Sequence, residues 1–178
     1  MHTYIIYACP TGELAAQLST YFQMSRATCG PNTAHRYMPH CTLTGFFHDQ
    51  PSAIPIYVAA LEAALVRAGP TQPKPVLTIL GMELRPDFHV LPLDSPWLKG
   101  VIADFGRNVD SPTRQDTLRL KDWLHLSLAY EFAADQATTL AKLAEEFVDM
   151  SAPVGWDLRF YERHADWSWV CHAEWQLD

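Results

Sequence analysis

The sequence has no excess of basic residues, no long apolar run and no closely spaced cysteines. Its 178 residues contain 13 lysines and arginines against 20 aspartates and glutamates, so the net charge is −7. Counterion release from a long nucleic acid requires a basic face, and this balance argues against such a partner. No apolar run reaches the roughly 20 residues of a membrane-spanning helix, and the first ten residues lack a signal-peptide pattern. We therefore expect a cytosolic protein that binds no membrane.

The four cysteines, at positions 9, 29, 41 and 171, are scattered and form no C-x-x-C pair. This spacing indicates neither a zinc knuckle nor a redox-active dithiol, so we expect no metal and no cofactor. Hydrophobic residues make up 48% of the chain and charged residues 19%, which excludes disorder as a global description.

Apolar periodicity predicts two successive halves with the same order of elements. The predicted strands cover 4–9, 40–47, 76–84, 88–93, 124–132, 156–160 and 167–175, and the predicted helices cover 12–24, 54–68, 95–109 and 135–150. No linker separates the halves. We expect one domain over residues 1–178, of the α+β class, with helices packed outside antiparallel sheets. In the last strand, Trp167, Trp169 and Trp175 are expected to pack inside.

Two tetrapeptides with the pattern H-x-[ST]-L occupy matching places in the two halves. They are His40-Cys41-Thr42-Leu43 and His125-Leu126-Ser127-Leu128. Residues two apart on a strand share a face and lie ~7 Å apart, so each segment presents an imidazole beside a hydroxyl. None of the other six histidines has a serine or threonine two residues later. A symmetric pair of this kind indicates a site rather than two unrelated core histidines.

These residue types suit the hydrolysis of a cyclic phosphodiester. The reaction needs a base for the attacking water and an acid for the departing ribose oxygen, and two imidazoles can serve both ends. Thr42 and Ser127 can donate hydrogen bonds to the non-bridging phosphate oxygens.

The two tetrapeptides resemble those of the 2H phosphoesterases, and the surrounding segments PHCTLTGFF and LHLSLAYEF are most similar to the plant and fungal 2′,3′-cyclic-nucleotide phosphodiesterases. The resemblance implies a bilobal, pseudo-twofold fold in which two antiparallel sheets line a central cleft. It also implies metal-independent opening of a 2′,3′-cyclic phosphate to a 2′-phosphate by His40, Thr42, His125 and Ser127. By the same analogy, His125 is the base and His40 the acid, and Tyr130 lies near the nucleotide base.

Other residues near the motifs are secondary candidates for substrate binding. Arg26, Arg36 and Tyr37 precede the first motif, and Arg114, Arg119 and Lys121 precede the second. Such loops are more often only solvated. Phe46, Phe47 and Trp123 can stack on a base but suit a core equally well.

Several functions fit this pattern. The substrate can be a cyclic nucleotide, an RNA end or ADP-ribose cyclic phosphate, acted on by a monomer. Alternatively, the scaffold can serve 2′-5′ RNA ligation or cleavage, or hydrolysis of a cyclic-nucleotide signal. A non-catalytic nucleotide-binding module is a third reading, which two histidines in opposite halves disfavour. A partner-binding domain without a substrate is the fourth.

Overall fold

The computed structural model describes residues 1–69 and 76–177. Within these ranges the chain is α+β, as predicted, with nine strands and four α-helices. The strands are β1 (His2–Thr11), β2 (Cys41–Thr42), β3 (Phe47–Asp49), β4 (Thr78–Ile79), β5 (Glu83–Leu84), β6 (Phe88–Asp94), β7 (Leu124–Tyr130), β8 (Val154–Arg163) and β9 (Trp169–Gln176). The helices are α1 (Gly12–Cys29), α2 (Ile54–Ala68), α3 (Pro96–Asn108) and α4 (Ala137–Phe147).

The strands form one antiparallel sheet, in the order β4-β6-β7-β2-β1-β8-β9. Strand β3 also pairs with β1, and β5 with β6. The short strand β2 joins the two groups, because it pairs with β1 on one side and with β7 on the other. The sheets expected for the two lobes are therefore continuous through β2.

The four helices cover one face of this sheet. Leu14 of α1, Tyr57 of α2, Phe105 of α3 and Ala144 of α4 all belong to one core, which also contains Leu126 from the centre of the sheet. Hydrophobic burial of this continuous face is the main stabilising contribution to the fold. A smaller cluster on the opposite face contains Ile5, Tyr7, Cys9 and Tyr161, with Tyr37 and Phe46 packed against it. The helices leave this second face open for a site.

The structure corrects four details of the predicted elements. The predicted strand over 76–84 is instead two short strands, β4 and β5, which pair with different parts of β6. The prediction of a single strand over 40–47 is wrong. The chain leaves the β2 pairing after Thr42 and rejoins the sheet only at β3. Trp167 is not inside: it lies in the turn before β9 and is 37% exposed, since β9 is an edge strand. The last predicted helix begins with a separate 3₁₀ turn, Ala134–Gln136. The proline-rich segment 70–75, which precedes the predicted strand over 76–84, lies outside the described residues.

In the described part of the chain, the stretch Pro51–Ala68 is long and apolar enough to cross a membrane, by length and composition alone, with a mean hydropathy of 1.2. A helix that packs on a core passes the same test, so one such stretch is weak evidence. Tyr57, Leu61 and Ala64 on this helix are buried against the core.

Candidate active site

The two H-x-[ST] segments are direct neighbours in the sheet. Cys41 of β2 and Leu126 of β7 are antiparallel register partners, and both are fully buried on the helix-covered face. Continuing that register by one residue sets His40 opposite Ser127 and Thr42 opposite His125. Residues opposite each other have Cβ atoms about 4.5–5.5 Å apart, and diagonal neighbours such as His40 and His125 are about 7–8 Å apart. The four side chains therefore form a quadrilateral on the open face.

The imidazole of His40 is held by its own backbone segment and by an aromatic ring. Its Nδ1 donates to the carbonyl of Met38 at 2.7 Å, so the neutral ring carries its proton there and Nε2 is left for a ligand. The ring of Tyr7 lies 3.9 Å away, centroid to centroid. Desolvation by burial lowers the pKa of His40 to about 4, with His125 adding to the shift and the Met38 hydrogen bond opposing it.

His125 has a matching environment in the second half. The indole of Trp123 stacks on its imidazole, with centroids 3.9 Å apart and 29° between the planes. Desolvation by burial lowers the pKa of His125, the backbone of Trp123 opposes that shift, and the charge of Lys121 adds to it. Both imidazoles are therefore neutral at pH 7 when no ligand is present.

Both motifs line a cavity of about 450 Å³, a size typical of small-molecule sites. His40, Thr42, His125 and Ser127 all contribute to its wall, and its aromatic lining consists of Tyr7, Tyr37, Phe46, Phe88, Trp123 and Tyr130. Trp123 is 52% exposed. The cavity therefore combines neutral acid–base groups and hydroxyls with aromatic surfaces.

A β-bulge brings Tyr130 to the same face as the second motif. Val90 of β6 pairs with Ser127, whereas the preceding His89 pairs with Ala129, so β7 has one extra residue, Leu128, at this step. Leu128 and Ala129 are both buried, so the alternation of buried and partly exposed side chains shifts by one residue after Leu128. Tyr130 therefore points to the same face as His125 and Ser127. An ideal strand would have turned Tyr130 away from the cavity.

The structure separates the remaining predicted residues. Tyr37 and Tyr130 line the cavity, but Arg36 does not, because its guanidinium lies over the ring of Trp167, 5.1 Å from the centroid. Of the alternative stacking residues, Phe46 and Trp123 line the cavity and Phe47 is buried in the core.

Sequence reasoning missed Tyr7, whose ring covers His40. Nothing in the apolar run of β1 distinguishes this tyrosine from its buried neighbours. The signal that finds it is its register with Thr42 across the β1–β2 pair.

Within the described ranges, no group of three or more histidine, cysteine, aspartate or glutamate side chains is arranged to hold a metal ion. His164 and His172, the pair of histidines near the final turn, both approach the carboxylate of Glu162, at 3.6 and 2.8 Å. His2 contacts the same carboxylate. This cluster lies apart from the cavity lining and ties β1, β8 and β9 together.

Comparison with known proteins finds relatives over most of the chain. It is 32% identical over 167 residues to the ubiquitin-associated and SH3 domain-containing protein B of Homo sapiens, covering 90% of this chain and 25% of the relative. It is 30% identical over 200 residues to the ecdysteroid-phosphate phosphatase of Drosophila melanogaster, covering 90% of this chain and 26% of the relative. The chain thus spans about a quarter of the length of these relatives. No protein-family model matches it.

Proposed function

We propose that this chain is a phosphoester hydrolase of the 2H type, which opens a 2′,3′-cyclic phosphate and leaves a 2′-phosphate without a metal ion. The observation that supports this most strongly is the pairing of Cys41 with Leu126. This pairing brings the two imidazole–hydroxyl couples together on one open face. Groups about 7–8 Å apart on a diagonal can lie on opposite sides of a single phosphorus atom.

In the proposed reaction, one imidazole accepts a proton from water while the water oxygen bonds to phosphorus. The bond between phosphorus and the 3′-oxygen of the ribose breaks in line, and the other imidazole, as an imidazolium, donates its proton to that oxygen. Each proton transfer contributes on the order of 10² to 10⁴ in rate. By microscopic reversibility, the reverse, ring-forming reaction exchanges the roles of the two histidines.

Thr42 and Ser127 complete the arrangement. Each hydroxyl lies opposite the imidazole of the other motif and lines the same cavity. A phosphate held between the imidazoles would therefore have one hydroxyl donor on each side for its non-bridging oxygens. Donors of this kind stabilise the charge that grows on those oxygens in the transition state.

Binding of the substrate converts one of the two imidazoles, which are neutral in the free site, into the imidazolium that the reaction needs. Burial lowers the pKa of both imidazoles, so the empty site carries two neutral rings at pH 7. A phosphate anion between them raises both pKa values, since an opposite charge within ~4–6 Å favours the charged form. Binding of the anion therefore produces the imidazolium that serves as the acid.

The aromatic lining supports a nucleoside as the group attached to the phosphate. Trp123 presents an exposed ring beside His125, and Tyr37 and Tyr130, which lie close together, also line the cavity. Stacking of a base on an aromatic ring contributes ~1–3 kcal/mol and tolerates different bases.

A second candidate is phosphomonoester hydrolysis. It is favoured by the name of the Drosophila melanogaster relative, an ecdysteroid-phosphate phosphatase. This candidate predicts release of inorganic phosphate from a monoester, whereas the principal proposal predicts that the reaction stops at the 2′-phosphate.

The test is a substrate survey with product identification by ³¹P NMR. Adenosine 2′,3′-cyclic phosphate, adenosine 3′,5′-cyclic phosphate, adenosine 2′-phosphate and a steroid phosphate are each incubated with the protein, with and without EDTA. We expect only the first to react, to give the 2′-phosphate at a rate that EDTA leaves unchanged. Inorganic phosphate from either monoester would favour the second candidate, and strong inhibition by EDTA would overturn the metal-free mechanism.

A further inference from the structure

The segment before the second motif runs antiparallel beside the segment after the first. Two of its side chains, Arg119 and Lys121, are cations that line the cavity. The backbone N–H of Gly45 donates to the carbonyl of Arg119 at 2.7 Å, and that of Lys121 donates to Leu43 at 3.0 Å. Thr44 and Leu120 form a β-bridge between these two bonds. Arg119 and Lys121 are two apart on extended backbone, so both face the cavity that they line.

Hydrogen bonds hold residues 111–116, which precede Arg119, against β3. Asp49 accepts hydrogen bonds from Ser111 at 2.6 Å and from Thr113 at 2.5 Å. His48 contacts the carboxylate of Asp116 through Nδ1 at 2.6 Å, and its backbone N–H donates to the same carboxylate at 2.8 Å. These bonds fix the path of the segment, so the cations that follow it are presented on ordered backbone.

Gly45 provides the space in which the guanidinium of Arg119 lies. A Cβ atom at position 45 would come within 3.1 Å of both Nε and Nη2 of Arg119. A side chain at this position would therefore require the guanidinium to shift by a few tenths of an ångström. The side chain of Leu120 lies on Gly106 of α3 in the same way, since a Cβ there would meet it at 3.1 Å. The two glycines thus leave the space that the side chains of Arg119 and Leu120 occupy.

The two cations meet no carboxylate in the described lining of the cavity, although the charge of Arg119 does reach Asp116, whose pKa is lowered first by its hydrogen bond to His48 and further by Arg119. The described residues that line the cavity include no carboxylate, and neither Arg119 nor Lys121 forms an ion pair with any described residue. In a chain of net charge −7, two unpaired cations beside the motifs indicate an anionic ligand.

A single cyclic phosphate does not account for these cations. It carries one negative charge, for which the two imidazoles and two hydroxyls already provide partners. We propose that Arg119 and Lys121 bind a second phosphate, so that the substrate is a nucleoside 2′,3′-cyclic phosphate that also bears a phosphate on its 5′-oxygen. This inference rests on the proposed function and narrows its substrate class. The second phosphate can be terminal or can join the nucleotide to the end of an RNA.

The test compares matched substrates and matched variants. The substrates are adenosine 2′,3′-cyclic phosphate, its 5′-phosphorylated form and the dinucleotide that carries the same cyclic end. We expect kcat/KM to be at least about tenfold higher for one or both 5′-substituted substrates, mainly through KM, since charged donors add binding to the second phosphate. Preference for the 5′-phosphorylated nucleotide alone indicates a terminal phosphate, and equal preference for the dinucleotide indicates an RNA end.

The variant R119A should remove most of this preference, and G45A should reduce it by displacing the guanidinium. The control R107A makes the same change of charge on the exposed surface of α3, outside the cavity lining, and should keep the preference. Equal kcat/KM on all three substrates in the unmodified protein would overturn the proposal. A loss in R119A by the same factor on all three would also overturn it, because Arg119 would then act on the cyclic phosphate.

A binding measurement separates this proposal from the proposed function. Calorimetry compares adenosine 2′-phosphate with adenosine 2′,5′-bisphosphate, and we expect the bisphosphate to bind about tenfold more tightly, with the difference lost in R119A. That result without hydrolysis of any cyclic substrate would support the second-phosphate site and overturn the hydrolase. Hydrolysis of a cyclic substrate, together with equal affinity for the two ligands, would support the hydrolase and overturn the second-phosphate site.

Discussion

Cys41 and Leu126, the middle residues of the two H-x-[ST] segments, are paired across β2 and β7. Both side chains are buried under the helices, so the residues on either side of them point to the open face. The pairing places each imidazole opposite the hydroxyl of the other motif. A shift of one residue in this register would bury one histidine and one hydroxyl, because the side-chain period of a strand is two.

The hydroxyls are expected to act in the transition state. Removing one preorganised donor to a developing oxyanion typically costs ~10² to 10³ in kcat. We expect S127A and T42A each to lower kcat by ~10 to 10³, with little change in KM. The matched variants S127T and T42S retain the hydroxyl and should recover most of the rate. A loss in S127A confined to KM, or no recovery in S127T, would contradict this role.

The pH dependence of kcat/KM should have an acidic optimum. This parameter reports the free protein, in which the pKa of His40 is about 4 and the pKa of His125 is lowered from its ordinary value. The active form needs one neutral and one protonated imidazole. Activity should therefore fall below about pH 4, where both rings are charged, and fall again above the pKa of His125, where both are neutral.

The profile of kcat should lie at higher pH than that of kcat/KM, because a bound phosphate anion raises the pKa of both rings. Initial rates at limiting and at saturating substrate give the two profiles. Limbs of kcat/KM at or above pH 7 would show that the rings are not desolvated in the free protein.

Trp123 is expected to tune His125 as well as to bind substrate. Its ring stacks on the imidazole and shields it from water, and its own exposure of 52% means that its removal should leave the core intact. In W123A the pKa of His125 should rise toward the ordinary value, whereas W123F should keep most of the shift. NMR titration of the imidazole measures this directly, and an unchanged pKa in W123A would assign the desolvation to other neighbours.

Asp49 is expected to be the main polar anchor of the segment that leads to the second motif. Its side chain is buried and accepts hydrogen bonds from Tyr57, Ser111 and Thr113. Although burial raises its pKa, these bonds outweigh that effect, and the net shift is downward. The variant D49A leaves three hydroxyls without their acceptor and should cost ~2–4 kcal/mol in the free energy of unfolding in urea at pH 7.

The sign of the pH dependence follows from the lowered pKa of Asp49. Its contribution to stability is present above the pKa of an unfolded aspartate, near 4, and is lost as the pH falls through the lower native value. The stability difference between the original protein and D49A should therefore shrink in acid. The control D166A changes an exposed turn aspartate and should cost much less. Equal stability of D49A and the original protein at pH 7 would contradict the anchoring role.

The local patterns of the chain were sufficient to predict the α+β class, most of the helices and β7, the strand that carries the second motif. They could not predict that β2 has only two residues or that Leu128 forms a bulge, because both depend on partners distant in the chain. The bulge explains why Tyr130 faces the cavity despite its odd distance from His125. Long-range packing likewise sets Arg36 on Trp167 rather than in the cavity.

Residues 110–122 form a loop, since no helix or strand lies there. The role of this loop depends on contacts that periodicity does not record. Asp49 and Gly45, which guide it, are ordinary residues in the sequence. Their function becomes visible only once β3 and the segment after Thr42 lie beside residues 111–121.

The central claim is that two imidazoles act together on one phosphorus atom. The most direct test is kcat/KM for hydrolysis of adenosine 2′,3′-cyclic phosphate by H40A, H125A and the double variant, with circular dichroism to confirm that each is folded. We predict that each single variant loses at least about 10², and that the double variant loses little more, since groups that act as a unit are strongly non-additive. Full activity in either single variant, or losses that simply multiply in the double variant, would contradict the account.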